Sequence, residues 1–372
     1  MPSHLFAPLH IANVDLQHRV VMAPLTRLRA TKDHIQLPIT KTYYEQRASV
    51  PGTLIIAEAV MISPRSGAGG VPHGPGIWNE EQIAAWKDIT DAVHAKGSYI
   101  FAQLFAAGRA GDPSTLKADC GEEGEGEVAA PSSIPMDSSA ILPRELTERE
   151  IQGIIADFAI AARNAMEAGF DGVEVHGANG YLVDQFLQDM TNHRSDRWGG
   201  SIENRARFGL EVARALVDAV GAERVGFRVS PWNTWQGMKM ADPVPQFSYF
   251  VMGLRELKLG FLHVIESRVI NNVDCEKTES IDFLLKIWGR TSPVLVAGGY
   301  TPDNAEAAFQ EYKDNDIAVV FGRHFLANPD LPFRIQQGLS LNKYDRASFY
   351  TPMGEEGYAD YPFSPEFSGF KN

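Results

Sequence analysis

Apolar residues gather along this chain in short continuous runs, each followed by a longer stretch where they recur at helical spacing. The runs Arg19–Pro24, Thr53–Ala59, Ser98–Leu104, Gly172–His176, Val225–Ser230, Phe261–Glu266, Pro293–Gly298 and Ile317–Gly322 read as strands. Helical spacing is clearest over Glu80–Lys96, Glu148–Ala168, Ile202–Val220, Gln246–Lys258, Ser280–Trp288 and Thr301–Tyr312, and Pro329–Gly338 ends the series. The first interval, Leu25–Gly52, is less regular, with Lys41–Ser49 as its helix candidate. Strands that are apolar throughout need cover on both faces, so alternation of β with α implies a parallel sheet under helices. Eight such strands predict an α/β fold, a (β/α)8 TIM barrel spanning residues 1–372 as one domain.

Two segments break the rhythm. Residues 112–146 carry the acidic Gly/Glu run 121–127 and then Pro and Ser, and read as an irregular excursion over the C-terminal mouth. Residues 339–372 hold several aromatics and are expected to pack back on the barrel as a C-terminal extension.

Barrel chemistry belongs at the C-terminal ends of the strands. In order, those ends carry Thr26, Glu58, Gln103, His176, Arg228, Glu266 with Arg268, Gly298-Gly299, and Gly322-Arg323. Packing offers another reading of each: Arg228 or Glu266 as barrel-filling ion pairs, Thr26 or Gln103 as satisfied polar groups. The fourth end is the richest. There Gly172–Val175 runs into His176, and a Gly-rich turn follows with Asn179 and Tyr181. Two hydrogen-bond donors and a phenol so close together suit polarising a carbonyl and delivering a proton beside it. No Gly-x-Gly-x-x-Gly unit lies between a strand and a helix, which argues against a dinucleotide-binding module. The seventh and eighth ends, Ala297-Gly298-Gly299-Tyr300 and Phe321-Gly322-Arg323, instead read as a phosphate seat. Glycines admit close backbone approach, and Arg323 supplies a bidentate cation.

Composition narrows the partners. With 47 acidic and 34 Lys or Arg residues the net charge is −13, which argues against nucleic acid or an anionic membrane. The two cysteines, Cys120 and Cys275, are isolated, so neither a disulfide framework nor a cysteine zinc site is expected. The termini show no secretory, lipidation or peroxisomal signal and no apolar run is long enough to span a bilayer, so a cytoplasmic protein is the expectation.

These motifs together resemble the old yellow enzyme family of flavin-dependent ene-reductases over nearly the whole chain. The resemblance rests on Ala23-Pro24-Leu25-Thr26-Arg27, His176-Gly-Ala-Asn179-Gly-Tyr181-Leu, Arg197-Trp-Gly-Gly-Ser-Ile-Glu-Asn-Arg205, Phe321-Gly-Arg323 with Asn328-Pro-Asp-Leu331, and Asn342-Lys-Tyr-Asp-Arg346. The run Tyr44-x-Gln-Arg-Ala-Ser-Val-Pro-Gly52 is similar to the fungal branch, which includes enzymes of indole-alkaloid pathways. The resemblance implies one non-covalent FMN, reduced by NADPH and reoxidised by an activated alkene, in a monomer or homodimer. It implies that Pro24, Leu25 and Ala59 line the flavin, Thr26 and Gln103 bond it, and Arg228 sets charge beside it. Gly298, Gly299, Gly322 and Arg323 would hold its phosphate. His176 and Asn179 would bind the substrate carbonyl and Tyr181 would protonate the α-carbon. Phe105 stands where many relatives carry Trp, Trp235 and Val273 match variable pocket positions, and Tyr350 matches a mouth-lining tyrosine, with packing of the tail as its other reading.

Other readings use the same residues. A metal-dependent hydrolase barrel would draw on Glu174, His176 and His193, but a His-x-His pair at the first strand is lacking, and no metal is expected. A redox-neutral isomerase or a silent flavin-binding protein would have no need of Tyr181.

Overall fold

The computed structural model describes residues 3–120, 126–138, 141–267, 269–270 and 273–367, the residues 269–270 and 273–274 as backbone only. Eight parallel strands close into a barrel. They are β1 Val20–Met22, β2 Leu54–Met61, β3 Tyr99–Phe105, β4 Gly172–Gly177, β5 Val225–Val229, β6 Phe261–Ile265, β7 Val294–Ala297 and β8 Ile317–Phe321. Closure is made where Val319 and Val320 of β8 pair with Val20 and Val21 of β1. The predicted run Arg19–Pro24 shortens because Pro24 has no N–H to continue the ladder, and the last bond is Ala23 N–H to the Phe321 carbonyl at 3.0 Å.

The barrel helices are Pro38–Arg47, Glu80–Ala95, Glu148–Glu167, Ile202–Val220, Pro243–Glu256, Asp282–Trp288, Pro302–Glu311 and Leu331–Gln337. The helix at Pro243 starts earlier than the spacing suggested, because Asp242 caps the amide of Val244 and Pro243 fits the first turn. Outward strand residues such as Ile55, Ala102, Val173, Phe227, Val264 and Val319 pack under these helices. Inward residues Val21, Leu54, Phe101, Phe261, Leu295 and Ala318 form a second cluster with Leu9, Ile11, Val14 and Leu16. Those four belong to an antiparallel hairpin, Leu9–Ile11 with Val14–Leu16, which the periodicity did not single out. Gly226 faces this interior, where a Cβ would lie 2.1 Å from the Phe261 ring.

The excursion is less irregular than expected. It holds a helix, Pro113–Cys120, and a two-residue parallel ladder of Ala129–Ala130 with Arg144–Glu145. Arg109, after β3, donates to the Pro135 carbonyl at 3.1 Å and to the Gln236 carbonyl, after β5, at 2.7 Å. That joins the excursion to the loops at the C-terminal ends of the strands. Most of the acidic run lies outside the described residues.

The C-terminal extension packs back on the barrel through three buried arginines. Arg27 donates to the Gly357 carbonyl at 2.7 Å, Arg29 to those of Phe349 at 3.0 Å and Gly354 at 2.9 Å, and Arg47 to that of Tyr358 at 3.1 Å. Tyr43 and Tyr358 stack between them with ring centres 4.2 Å apart.

Candidate active site

One cavity of about 340 Å³ opens at the C-terminal ends of the strands. Its lining includes Pro24, Leu25 and Thr26 after β1, Gln103 on β3, His176 on β4 with Asn179 and Tyr181 beyond it, and Arg228 on β5. Gly298, Gly299, Gly322 and Arg323 line it from the loops after β7 and β8, and Trp235 and Tyr350 stand at its edge. The fold thus brings together most of the residues singled out in the sequence.

Not all of them reach it. Ala59 and Phe105 pack in a small apolar cluster with Met61, Ala107 and Tyr181, off the cavity lining. Val273 lies in a two-residue strand paired with Val269–Ile270, but its side chain is outside the described residues, as is Arg268. Glu58 is turned out of the barrel. A bulge between Ile56 and Ala59 shifts the alternation of β2, and its buried carboxylate accepts from Arg27 N–H at 3.2 Å and the Gln36 amide at 3.2 Å. Glu266 is also diverted. It follows the last residue of β6 and accepts from the hydroxyls of Tyr300 and of Tyr312, the latter at 2.7 Å.

The turn after β4 is built to present three groups. Asn179 adopts a positive φ of 58°, which asparagine tolerates better than most residues, and its N–H donates to Ser230 Oγ at 2.8 Å. Gly180 N–H donates to Asp184 Oδ2 at 2.9 Å, which fixes the chain before the short helix Leu182–Leu187. Tyr181 opens that helix, and its ring centre lies 5.0 Å from that of His176 and 4.5 Å from that of Phe105.

Electrostatics settle the state of these groups. Burial, then Arg228 and His263, push His176 well below the usual histidine range, so its imidazole is neutral. Ala178 N–H donates to His176 Nδ1 at 3.4 Å, which leaves Nε2 as the ring's N–H donor. Burial, reinforced by nearby Tyr350, raises Tyr181 above an ordinary phenol, so it keeps its proton. Arg228 is drawn down to about 10 by burial, against the pull of Glu174, and stays a cation at neutral pH. Asp184, beneath the turn, is raised to about 7 by burial.

One layer of the barrel interior is polar. Register sets Gln103 beside Glu174, and Arg228 between His176 and His263. Glu174 accepts from Gln103 Nε2 at 2.7 Å and meets His263 Nδ1 at 2.7 Å. Sequence reasoning passed over His263 and gave Glu174 only a metal role, although strict alternation through Glu174-Val-His176 puts both side chains inside. His193 is solvent-exposed, and among the described residues no group of three His, Cys, Asp or Glu side chains is arranged to hold a metal ion. His324, Arg346 and Phe349 also line the cavity and were not proposed. Arg346 closes one of the quoted motifs, which was the available signal.

This arrangement fits FMN. Arg228, a cation on the cavity lining, keeps its buried Nε without a hydrogen-bond partner among the described residues. Gly298 and Gly299 have positive φ values of 122° and 64°, a main-chain path that leaves room for an anion. Arg323 borders the same loops, its guanidinium 5.6 Å from the Tyr344 ring centre.

The model of the NADH:flavin oxidoreductase / NADH oxidase family matches residues 4–342. Chanoclavine-I aldehyde reductase fgaOx3 of Penicillium roqueforti (strain FM164) is 54% identical over 98% of this chain and 97% of its own. The NADP-dependent oxidoreductase lnbE of Aspergillus flavus is likewise 54% identical, over 98% of each chain. Among solved structures, Old Yellow Enzyme from Pichia sp. AKU4542 superposes with a TM-score of 0.89 at 35% identity, covering 98% of this chain and 95% of that one. The chain belongs to the NADH:flavin oxidoreductase / NADH oxidase family, in its fungal old yellow enzyme branch.

Proposed function

We propose that this protein is an FMN-dependent ene-reductase, which passes hydride from NADPH to the β-carbon of an α,β-unsaturated aldehyde or ketone while a proton reaches the α-carbon. The observation that carries the reading is a neutral His176 with its Nε2–H free to donate, beside a protonated Tyr181 in one cavity. Non-covalently bound FMN would supply the hydride carrier between the two substrates. Pro24, Leu25, Thr26 and Gln103 would border its rings, Arg228 would balance its charge, and Gly298, Gly299, Gly322 and Arg323 would hold its phosphate. His176 and Asn179 donate to the substrate oxygen, where negative charge grows as the β-carbon gains hydride. Tyr181 then gives its proton to the α-carbon, a transfer favoured by the basicity of an enolate. The names of the two fungal relatives, an aldehyde reductase and an NADP-dependent oxidoreductase, support an aldehyde as substrate and NADPH as reductant. We place the protein in the cytoplasm, as a monomer or homodimer; among the described residues no helix is long and apolar enough to cross a membrane.

The test is anaerobic turnover of purified, FMN-loaded protein with NADPH and a panel of enals and enones. Saturated product formed one-for-one with NADPH oxidised is expected. A colourless protein that takes up no FMN, or a rearranged product with no NADPH consumed, would overturn the reading.

A further inference from the structure

Glu174 is fully buried and has no place in the chemistry just described. Its two oxygens are both engaged, one by Gln103 Nε2 at 2.7 Å and the other by His263 Nδ1 at 2.7 Å. A carboxylate only accepts, so the Gln103 side chain must turn its NH2 toward it. The amide oxygen, with the second N–H at its side, is what remains for the cavity that Gln103 lines. His263 is buried too, and with Nδ1–H given to Glu174 its imidazole locks the carboxylate from the other side.

We infer that Glu174 and His263 are positioning residues that fix the Gln103 amide with its oxygen toward the cofactor, making it a dedicated acceptor for the flavin N3–H. This rests on the flavin reading above and deepens it. An amide free to flip presents its oxygen or its NH2 equally at one point of the cavity, whereas a pinned one keeps the oxygen there, with the second N–H at its side. Glu174→Gln keeps the shape but replaces one acceptor oxygen with a donor NH2. Gln103 can then rotate to bring its own NH2 toward N3–H, where two donors face each other.

The experiment uses the holoprotein reconstituted with FMN enriched in ¹⁵N at N3. In the wild type the N3–H should exchange with solvent far more slowly than in free FMN and carry the shift of a donated hydrogen bond. Glu174→Gln should lose that signature and bind FMN about 10–100-fold more weakly, the range for a charge-linked hydrogen bond. In a Gln103→Leu background the same change should add almost nothing, since Glu174 acts through Gln103. An N3–H in the wild type that behaves like that of free FMN overturns the inference even if no Glu174 variant folds. So does an equal loss in both backgrounds. A wild-type protein that binds no FMN overturns the flavin reading and this inference with it, whereas bound FMN with a free N3–H overturns this inference alone.

Discussion

The ring of Tyr181 meets that of His176 nearly edge-on, at 71° and 5.0 Å between centres, and burial keeps the phenol protonated and the imidazole neutral. In the proposed reaction the two would act at different atoms of one substrate, so their loss should be separable in time. In Tyr181→Phe, reduction of bound FMN by NADPH should stay near normal, because that half-reaction protonates no carbon. Reoxidation by cyclohexenone or an enal should slow by roughly 10²–10⁴-fold, the contribution of a placed general acid. Stopped-flow measurement of each half-reaction decides it; equal slowing of both would mean that Tyr181 positions ligands and is not the acid.

His176→Ala should weaken phenolic ligands and enones together and slow reoxidation by roughly 10²–10³-fold, as expected for one lost oxyanion donor. Because His176 lies well below the usual range and stays neutral, its contribution should not titrate. The ratio of wild-type to mutant affinity for a phenol, followed by the flavin's absorbance, should therefore stay flat between about pH 6 and 8. A step in that ratio near neutrality would show that the imidazolium is the binding form.

Charge beside the cofactor should divide into two effects. Arg323→Ala should weaken FMN binding by about 1.5–3 kcal/mol, read by fluorescence titration of the apoprotein. Arg228→Met, which keeps the buried stem but removes the cation, should lower the reduction potential of bound FMN. If Arg323→Ala leaves FMN affinity unchanged, the phosphate sits elsewhere.

Asp184 gives a stability prediction with a definite sign. Its pKa is raised from 3.8 to about 7 by burial, so the folded state holds a proton that the unfolded chain releases. Stability from this group is full below its unfolded value and is lost as pH climbs through about 7, a penalty on the order of 4 kcal/mol at most. Asp184→Asn cannot ionise, so wild type should fare better relative to the variant at pH 4.5 than at pH 8, by about 3 kcal/mol in chemical denaturation, part of the effect being already lost at pH 4.5. A difference that does not vary with pH would mean that Asp184 is ionised throughout.

The barrel itself was legible in the chain because a strand apolar on both faces and a helix apolar on one stripe each follow from local spacing. His176, Asn179 and Tyr181 were legible for the same reason: they fall within one turn at one strand end, so no distant contact was needed to bring them together. Where position at a strand end was the only guide, the reading was weaker. Glu58 and Glu266 look like His176 on paper, but a single-residue bulge turns one outward and two tyrosines hold the other away from the cavity. Only the pairing of β4 and β6 with the two sides of β5 sets Glu174 against His263, which lies 89 residues away. The same long-range packing brings Phe349 and Tyr350 to the cavity, since three arginines grip the main-chain carbonyls of the extension. Carbonyl partners leave no mark in a sequence, because every residue has one. Periodicity names the face a side chain takes; which groups meet across that face depends on register and closure, and those belong to the folded chain.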